Sequence, residues 1–387
     1  MASPMNGTLI YIIAGEPSGD FLGAHLMSAL IVETDKQVQF RGVGGPEMSS
    51  QGLTSLFPMS DLSVMGIIEV VPKIPKLLGH VLEVTKDIID KKPDVVITID
   101  APDFCFRVTK RLKGKGIPLV HYVAPTVWAW RQGRAAKISK FLNHLLCLFP
   151  FEPPYFESEG LSATFIGHPI IETAAIRASG NEFRKAYGIE QDTPVIAVLP
   201  GSRIGEITRH LPVFKETMIK LQSTIPNIEL ISITTAHVAE SISKELSGWP
   251  IKSTVIEGSC EKYDAMAAAN IALAASGTVT LELAVVGTPT IVTYQVNALT
   301  AFIGKRLVKA KYASLINILL DREIMPEQLF NNCRAEILFP EILNLLQSSE
   351  AQEKQTSAFK TAIKMLTPLD GQSPSQKAAQ TIIKLIS

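Results

Sequence analysis

The sequence predicts an α/β protein made of two Rossmann-like domains that face each other across a cleft. Short apolar runs of strand length alternate with helical segments along most of the 387 residues, and this βαβα rhythm is typical of doubly wound parallel sheets. The rhythm restarts with the strand 195–199 after a helical link, and the length is enough for two domains of ordinary size. Turns rich in glycine and polar residues follow the strands of both halves, so we expect the strand ends of the two domains to face each other.

The predicted domain boundaries follow from this rhythm. Gly167-His168-Pro169 closes the first half, which gives an N-terminal domain over residues 1–170 and a second domain over 171–345. Helices over residues 346–387 end the chain and are candidates for packing back on the N-terminal domain. No short internal repeat interrupts this organisation.

Composition narrows the function classes. Lysine and arginine number 37 and aspartate and glutamate 37, so no net charge favours nucleic acid, and any attraction to a membrane has to be a local patch. The four cysteines lie far apart without a CxxC pair, which indicates reduced thiols and no metal site. The first residues have no basic region followed by a long apolar core, so we expect a cytoplasmic protein.

Polar residues follow the first strand, Leu9 to Ile13. Glu16, Ser18 and Asp20 share one tight turn before a helix that we expect from about Phe21 to Val32. Such a cluster at the carboxyl end of a strand suits sugar hydroxyls. The alternative is that Ser18 only caps the helix.

Two carboxylates follow the strand 94–99. Asp100 and Asp103 lie three residues apart where α/β enzymes place their chemistry, with the next helix expected near Val108. A carboxylate held near a bound hydroxyl can act as a general base, and Asp103 lies further out along the loop. The alternative is that one of the two caps the next helix.

The stretch from Ser63 to Val81 mixes apolar residues with lysines. Pro72 and Pro75 would interrupt a continuous helix and bring part of the stretch to the surface. An apolar patch flanked by lysines is typical of an interfacial membrane contact, while the helical spacing also fits ordinary core. The residues of the predicted membrane contact are Met65, Ile67, Ile68, Val71, Ile74, Leu77 and Leu78.

The second half contains a nucleotide-type element. The strand 271–274 leads into the small-residue turn Ser276-Gly277-Thr278 and a helix from Val279 to Val286. The free amides and the dipole of such a helix start suit a phosphate, and Glu282 lies on the same helix face as the turn, where a carboxylate can accept hydrogen bonds from a ribose. Arg203, after the strand 195–199, is placed to neutralise a diphosphate.

Six motifs occur together in order along the chain. They are AGEPSGD (14–20), GVGGPEM (42–48), IDAPDF (99–104), PGSRIGEI (200–207), ASGTVTLELAVVGTP (275–289) and SLINIL (314–319). The set closely resembles the lipid-A-disaccharide synthases, which are inverting UDP-sugar glycosyltransferases of the GT-B type. The resemblance spans about residues 9–329.

The resemblance implies roles for individual residues. It implies Asp103 as the base on the acceptor hydroxyl with Asp100 nearby, and Arg203, Ser276, Gly277 and Thr278 as ligands of the donor diphosphate. It further implies Glu282 on the ribose, Asn317 lining the donor site, and Glu16 and Ser18 on the acceptor side.

The resemblance also implies the partners. They are UDP-2,3-diacylglucosamine, 2,3-diacylglucosamine 1-phosphate and the cytoplasmic face of the inner membrane, with no nucleic acid, cofactor or metal. A homodimer stays an open alternative. Two other functions are weighed: a UDP-sugar 2-epimerase, which shares the two-lobed fold but acts on a soluble sugar, and a solute-binding protein, which the paired acids and the absent signal peptide disfavour.

Overall fold

The computed structural model describes residues 7–62, 74–128, 133–258, 261–295 and 311–387. It divides into two compact units. The N-terminal unit contains Met1–Pro169 together with Leu366–Ser387, and the C-terminal unit contains Ile170–Met365. Of the described helices, none is both long enough and apolar enough to cross a bilayer.

The N-terminal unit contains a six-stranded sheet in the order β2-β1-β3-β4-β5-β6. Every strand pair in it is parallel. The central strand β3 is buried along its whole length, as expected for a sheet covered on both faces. The strands are β1 (Thr8–Ala14), β2 (Val38–Val43), β3 (Val95–Ile99), β4 (Leu119–Tyr122), β5 (His144–Cys147) and β6 (Ser162–Phe165).

Helices cover this first sheet. One face carries an apolar core to which β1, β3 and the two helices before and after β3 contribute. The helices are α1 (Pro17–Glu33), α2 (Pro46–Ser50), α3 (Ile74–Lys91), α4 (Pro102–Leu112), α5 (Gly133–Ile138) and α6 (Pro153–Glu157).

The C-terminal unit repeats the architecture with the order β12-β11-β10-β7-β8-β9, again with parallel pairs throughout. Two clusters of buried apolar residues pack on this sheet. The strands are β7 (Val195–Leu199), β8 (Glu229–Thr234), β9 (Ser253–Glu257), β10 (Ile271–Ala275), β11 (Thr290–Tyr294) and β12 (Glu327–Leu329).

The helices of the C-terminal unit and the terminal helix complete the chain. They are α7 (Gly180–Ala186), α8 (Ile204–Thr224), α9 (Ala236–Leu246), α10 (Lys262–Ala268), α11 (Val279–Val286), α12 (Leu315–Leu320), α13 (Ala335–Gln347), α14 (Ser349–Leu366) and α15 (Pro374–Ile386). The helical link expected between the halves is instead two 3-10 turns, Pro169–Glu172 and Ala174–Arg177, followed by α7.

The strand order of each sheet defines its switch point, the place where successive strands begin to be added on the opposite side of the first strand. The chain leaves β1 to one side through β2 and returns on its other side with β3, so the switch point lies between β1 and β3. In the second sheet it lies between β7 and β10. Ligands of open α/β sheets bind beyond the carboxyl ends of the strands at such points.

Two helices begin earlier than the sequence predicted. Helix α1 begins at Pro17 instead of Phe21, and α4 begins at Pro102 instead of near Val108. Both start with a proline, whose fixed φ and missing N–H suit the first helical position. Asp103 therefore lies in the first turn of a helix and not on a loop.

The chain returns to the N-terminal unit at Leu366, later than the predicted position 346. Helix α14 stays with the C-terminal unit, where the Gln355 side chain bonds the backbone N–H and carbonyl of Thr290. Helix α15 belongs to the N-terminal unit and packs on α1, and Gln380 donates to the Glu33 carboxylate at 3.3 Å.

Candidate active site

A cavity of about 720 Å³ opens at the switch point of the C-terminal sheet. Its wall includes the loop after β7 and the turn after β10, which the parallel pairing of these strands brings side by side. Five residues predicted from sequence lie in this wall: Arg203, Ser276, Gly277, Thr278 and Glu282.

The amino-terminal end of α11 presents free donors to this cavity. Among the described residues, no acceptor takes the backbone N–H of Gly277, Thr278 or Val279, whereas Ser276 donates its N–H to Thr293. Three free amides at the positive end of a helix dipole form a binding site for an anion such as a phosphate. A Cβ added to Gly277 would meet nothing within 4 Å, so this glycine leaves open space beside the amides.

At the amino-terminal end of α8, by contrast, the backbone N–H groups already have an acceptor within the protein. The Glu206 carboxylate accepts from the N–H groups of Ser202 and Arg203 at 3.1 and 3.4 Å, and its other oxygen lies 3.2 Å from Arg203 Nη1. The carboxylate of Glu206 is therefore already the hydrogen-bond acceptor for these two N–H groups. The Arg203 side chain is 70% exposed, so its guanidinium can reach a ligand in the cavity.

A buried histidine supports the loop that carries Arg203. Gln295 donates its N–H to His210 Nε2 at 2.9 Å, so Nδ1 holds the proton and donates to the Pro200 carbonyl at 2.8 Å. Burial is the main cause of the lowered pKa of His210, which keeps the ring neutral. A neutral ring can accept at one nitrogen and donate at the other, and both bonds need that state.

Sequence reasoning missed two charged residues of the cavity, Glu206 and Lys262. Lys262, at the start of α10, lines the wall, and its Nζ lies 2.7 Å from Glu282 Oε1. The carboxylate predicted to hold a ribose is therefore paired with a cation from a neighbouring helix. The sequence offered no glycine turn or motif at Lys262 that would have identified it.

Asn317 does not lie on the cavity wall. Its side chain is fully buried, donates to the Met325 carbonyl and to Glu327 Oε1, and accepts from the N–H groups of Ile324 and Met325. Its link to the cavity is indirect, through Glu327.

The link from Glu327 to the cavity runs through one loop. The Glu327 carboxylate also accepts the N–H groups of Ala313 and Ser314. The carbonyl of Ala313 in turn accepts the hydroxyl of Ser276 at 2.9 Å. Asn317 thus helps to hold the loop against which the cavity turn rests.

The predicted acids of the N-terminal unit lie at the switch point of the first sheet. Asp100 and Ala101 directly follow β3 and have φ of 50° and 39°, in the left-handed region. Left-handed backbone at residues other than glycine costs of order 1 kcal/mol or more and is concentrated at functional sites. Burial is the main cause of the raised pKa of Asp100, while a hydrogen bond from the Ala101 backbone offsets part of it.

Asp103 has a simpler environment. It is exposed in the first turn of α4, where a carboxylate interacts favourably with the helix dipole. Glu16 and Ser18 follow β1, the strand that pairs directly with β3, so the turns after these two strands are neighbours. A Cβ at Gly15 would lie 2.8 Å from Cβ of Ala101, which shows how closely the two turns approach.

Asp20 of the same turn has a structural role. It is 2% exposed, and its carboxylate accepts the N–H groups of Gly45, Glu47 and Met48 at 2.7 to 3.1 Å. It therefore caps the start of α2 and does not face a ligand.

The predicted membrane contact is described only in part. Met65, Ile67, Ile68 and Val71 lie outside the described residues. Ile74 and Leu78 are exposed on α3, and Leu77 is half-buried. Leu82 and Ile89, further along α3, are exposed as well. Positions 74, 78, 82 and 89 lie within one side of a helix with 3.6 residues per turn.

Solved structures identify the fold. The fold matches the UDP-GlcNAc 2-epimerase of Neisseria meningitidis, solved with UDP-GlcNAc bound, with a TM-score of 0.61 and 14% identity over 98% of this chain and 99% of that one. It also matches MurG of Acinetobacter baumannii with a TM-score of 0.55 and 15% identity over 98% of this chain and 99% of that one. These likenesses show a GT-B fold.

Sequence comparison then identifies the family. The family model described as lipid-A-disaccharide synthetase matches residues 10–382. The lipid-A-disaccharide synthase of Rhodospirillum centenum is 45% identical over 99% of this chain and 96% of that protein. The chain belongs to the lipid-A-disaccharide synthetase family and is a hexosyltransferase. The family match favours this activity over the epimerase alternative, for which the structural likeness shows the fold alone.

Proposed function

We propose that this protein transfers 2,3-diacylglucosamine from UDP-2,3-diacylglucosamine to the 6-hydroxyl of 2,3-diacylglucosamine 1-phosphate. The products are the β-1,6-linked lipid A disaccharide 1-phosphate and UDP. Beyond family membership, the observation that carries the proposal is the cavity whose wall combines free helix amides, an exposed arginine and a carboxylate.

The donor nucleotide binds in this cavity. Its diphosphate lies on the free amides of Gly277, Thr278 and Val279, because Glu206 already takes the amides at the start of α8. Arg203 adds a positive charge on the phosphate oxygens, and Glu282 accepts the hydroxyls of the ribose. The negative charge that develops on the leaving diphosphate is thereby stabilised by the helix dipole and a guanidinium.

Asp100 is the general base. We prefer it to Asp103, the residue named from sequence, because Asp100 combines burial, a raised pKa and strained backbone beside the turn of Glu16, whereas the helix dipole accounts for Asp103. The Asp100 carboxylate takes the proton of the acceptor 6-hydroxyl as that oxygen attacks the anomeric carbon. The bond from this carbon to the diphosphate oxygen breaks, UDP leaves with the electron pair, and the configuration inverts.

The acceptor and the membrane are placed on the N-terminal unit. Glu16 and Ser18, beside Asp100, contact the hydroxyls of the acceptor sugar. Ile74, Leu78, Leu82 and Ile89 form an exposed apolar stripe on α3, which we call the α3 stripe. Such a stripe beside the exposed Lys86 suits a peripheral contact with the cytoplasmic face of the inner membrane, where both acylated substrates lie.

The test is turnover with both lipid substrates in mixed detergent micelles, followed by chromatography for UDP and the disaccharide. We expect the wild-type protein to form both products and Asp100→Asn to form neither while still binding UDP. Full turnover by Asp100→Asn would overturn the base assignment. Interconversion of UDP-GlcNAc epimers, with no disaccharide from a range of acyl-chain lengths, would instead favour the epimerase.

A further inference from the structure

The wall of the cavity in the C-terminal unit contains a cation, Lys262, that has no role in binding the diphosphate in the function proposed here. It is the first residue of α10, and its Nζ contacts the Glu282 carboxylate at 2.7 Å. The two side chains are only 23% and 20% exposed. The same Nζ lies 4.7 Å from the centroid of the Tyr263 ring, so the ammonium contacts both a carboxylate and an aromatic ring.

Helix stability does not explain a lysine at this position. The start of a helix carries a positive partial charge, and a cation in the first turn is unfavourable there. Burial has the largest single effect and lowers the pKa of Lys262, but the interactions with Glu282 and Tyr263 together outweigh it and the pKa is raised. The lysine therefore stays charged against the preference of its own helix, and local rules are most often broken at functional sites.

The ion pair uses only one of the two carboxylate oxygens of Glu282. Oε1 faces the ammonium, and within the described part of the chain no donor bonds Oε2. A free glutamate side chain would lose rotamer entropy on binding a ligand, whereas one already held by an ion pair has lost most of it. The anchored carboxylate thus keeps one oxygen available for a hydroxyl donor.

We propose that Lys262 is a positioning residue that fixes the Glu282 carboxylate for recognition of the ribose hydroxyls of the donor nucleotide. This inference rests on the proposed function, since it assumes that a uridine nucleotide occupies the cavity. Its consequence is selectivity for a ribose over a 2′-deoxyribose. A hydrogen bond to a charged group corresponds to a preference of roughly tenfold or more for UDP over 2′-deoxy-UDP.

Calorimetric titration of the full chain with UDP and with 2′-deoxy-UDP measures this preference. In Lys262→Met we expect the preference to fall to about twofold while UDP still binds, and in Lys262→Arg we expect it to be restored. Lys252→Met, at an exposed lysine that pairs with Glu229 outside the cavity wall, is the matched control and should retain the wild-type preference. In a Glu282→Gln background, Lys262→Met should cause no further loss.

Equal weakening of both nucleotides by Lys262→Met, with the preference intact, would overturn the inference and leave the proposed function standing. Absence of UDP binding by the wild-type protein would overturn the proposed function itself. Lys262→Gln serves as a second variant if the methionine protein does not fold. Failure of both to fold would show that the lysine is a structural residue and would also overturn the inference.

Discussion

Replacing Asn317 by alanine tests the buried network behind the cavity. The change removes four hydrogen bonds of the side chain, two donated and two accepted, all between 2.8 and 3.0 Å. At about 1 kcal/mol for each buried bond, we expect the free energy of unfolding to fall by about 4 kcal/mol. Urea titration followed by circular dichroism measures this loss.

Two further variants sharpen the test. Asn331→Ala, at an exposed asparagine of the same unit, should change stability by less than about 0.5 kcal/mol. Asn317→Asp has almost the same shape but cannot donate, and it would place a second carboxylate oxygen where Asn317 Nδ2 now lies 2.8 Å from Glu327 Oε1. We therefore expect it to be at least as destabilising as alanine. A loss below about 1 kcal/mol in both Asn317 variants would refute the reasoning.

Three other predictions concern the two units separately. Because burial raises the pKa of the Asp100 carboxyl in the folded protein, the stability that this group contributes is full below its unfolded pKa and is lost as pH rises through its folded pKa. The variant Asp100→Asn removes this loss, and asparagine tolerates the left-handed backbone at this position. We therefore expect Asp100→Asn to raise the melting temperature at pH 7, with the gain fading toward about pH 3.5. Gly277→Val should weaken UDP binding at least about tenfold with stability little changed, whereas Gly287→Ala, at φ 84°, should cost about 1 kcal/mol and leave UDP affinity unchanged. Serine at Leu78 and Leu82 should reduce cosedimentation with anionic vesicles several-fold without unfolding the protein, and unfolding would show that these residues are core.

The fold could be predicted from local signals because both sheets are parallel and their strands are short apolar runs. The cavity residues were predictable for the same reason, since glycine turns after buried strands are visible in the sequence. Arg203 and Gly277 follow β7 and β10, and the pairing of these strands brings them to one cavity. The order of the strands is set by long-range packing, which a local pattern does not contain.

The misses have physical causes as well. Asp20 looked like a ligand of a sugar because nothing local reveals that three amides of the next βα turn need its carboxylate. Asn317 and Lys262 depend on partners 10 and 20 residues away, and such pairs form only when helices and loops pack. The early starts of α1 and α4 were visible in principle, because Pro17 and Pro102 mark first helical positions.

The N-terminal unit is formed by two separate segments of the chain, and this has a consequence for biosynthesis. Helix α15 emerges from the ribosome only after the whole C-terminal unit, yet its residues Ala378, Ala379 and Ile382 are buried in the N-terminal unit, where α15 packs on α1. A nascent chain must therefore carry an unfinished first unit, with apolar surface of α1 uncovered, until α15 has been synthesised. Deletion of residues 374–387, which contain α15, would leave that surface of α1 permanently exposed and prone to aggregation.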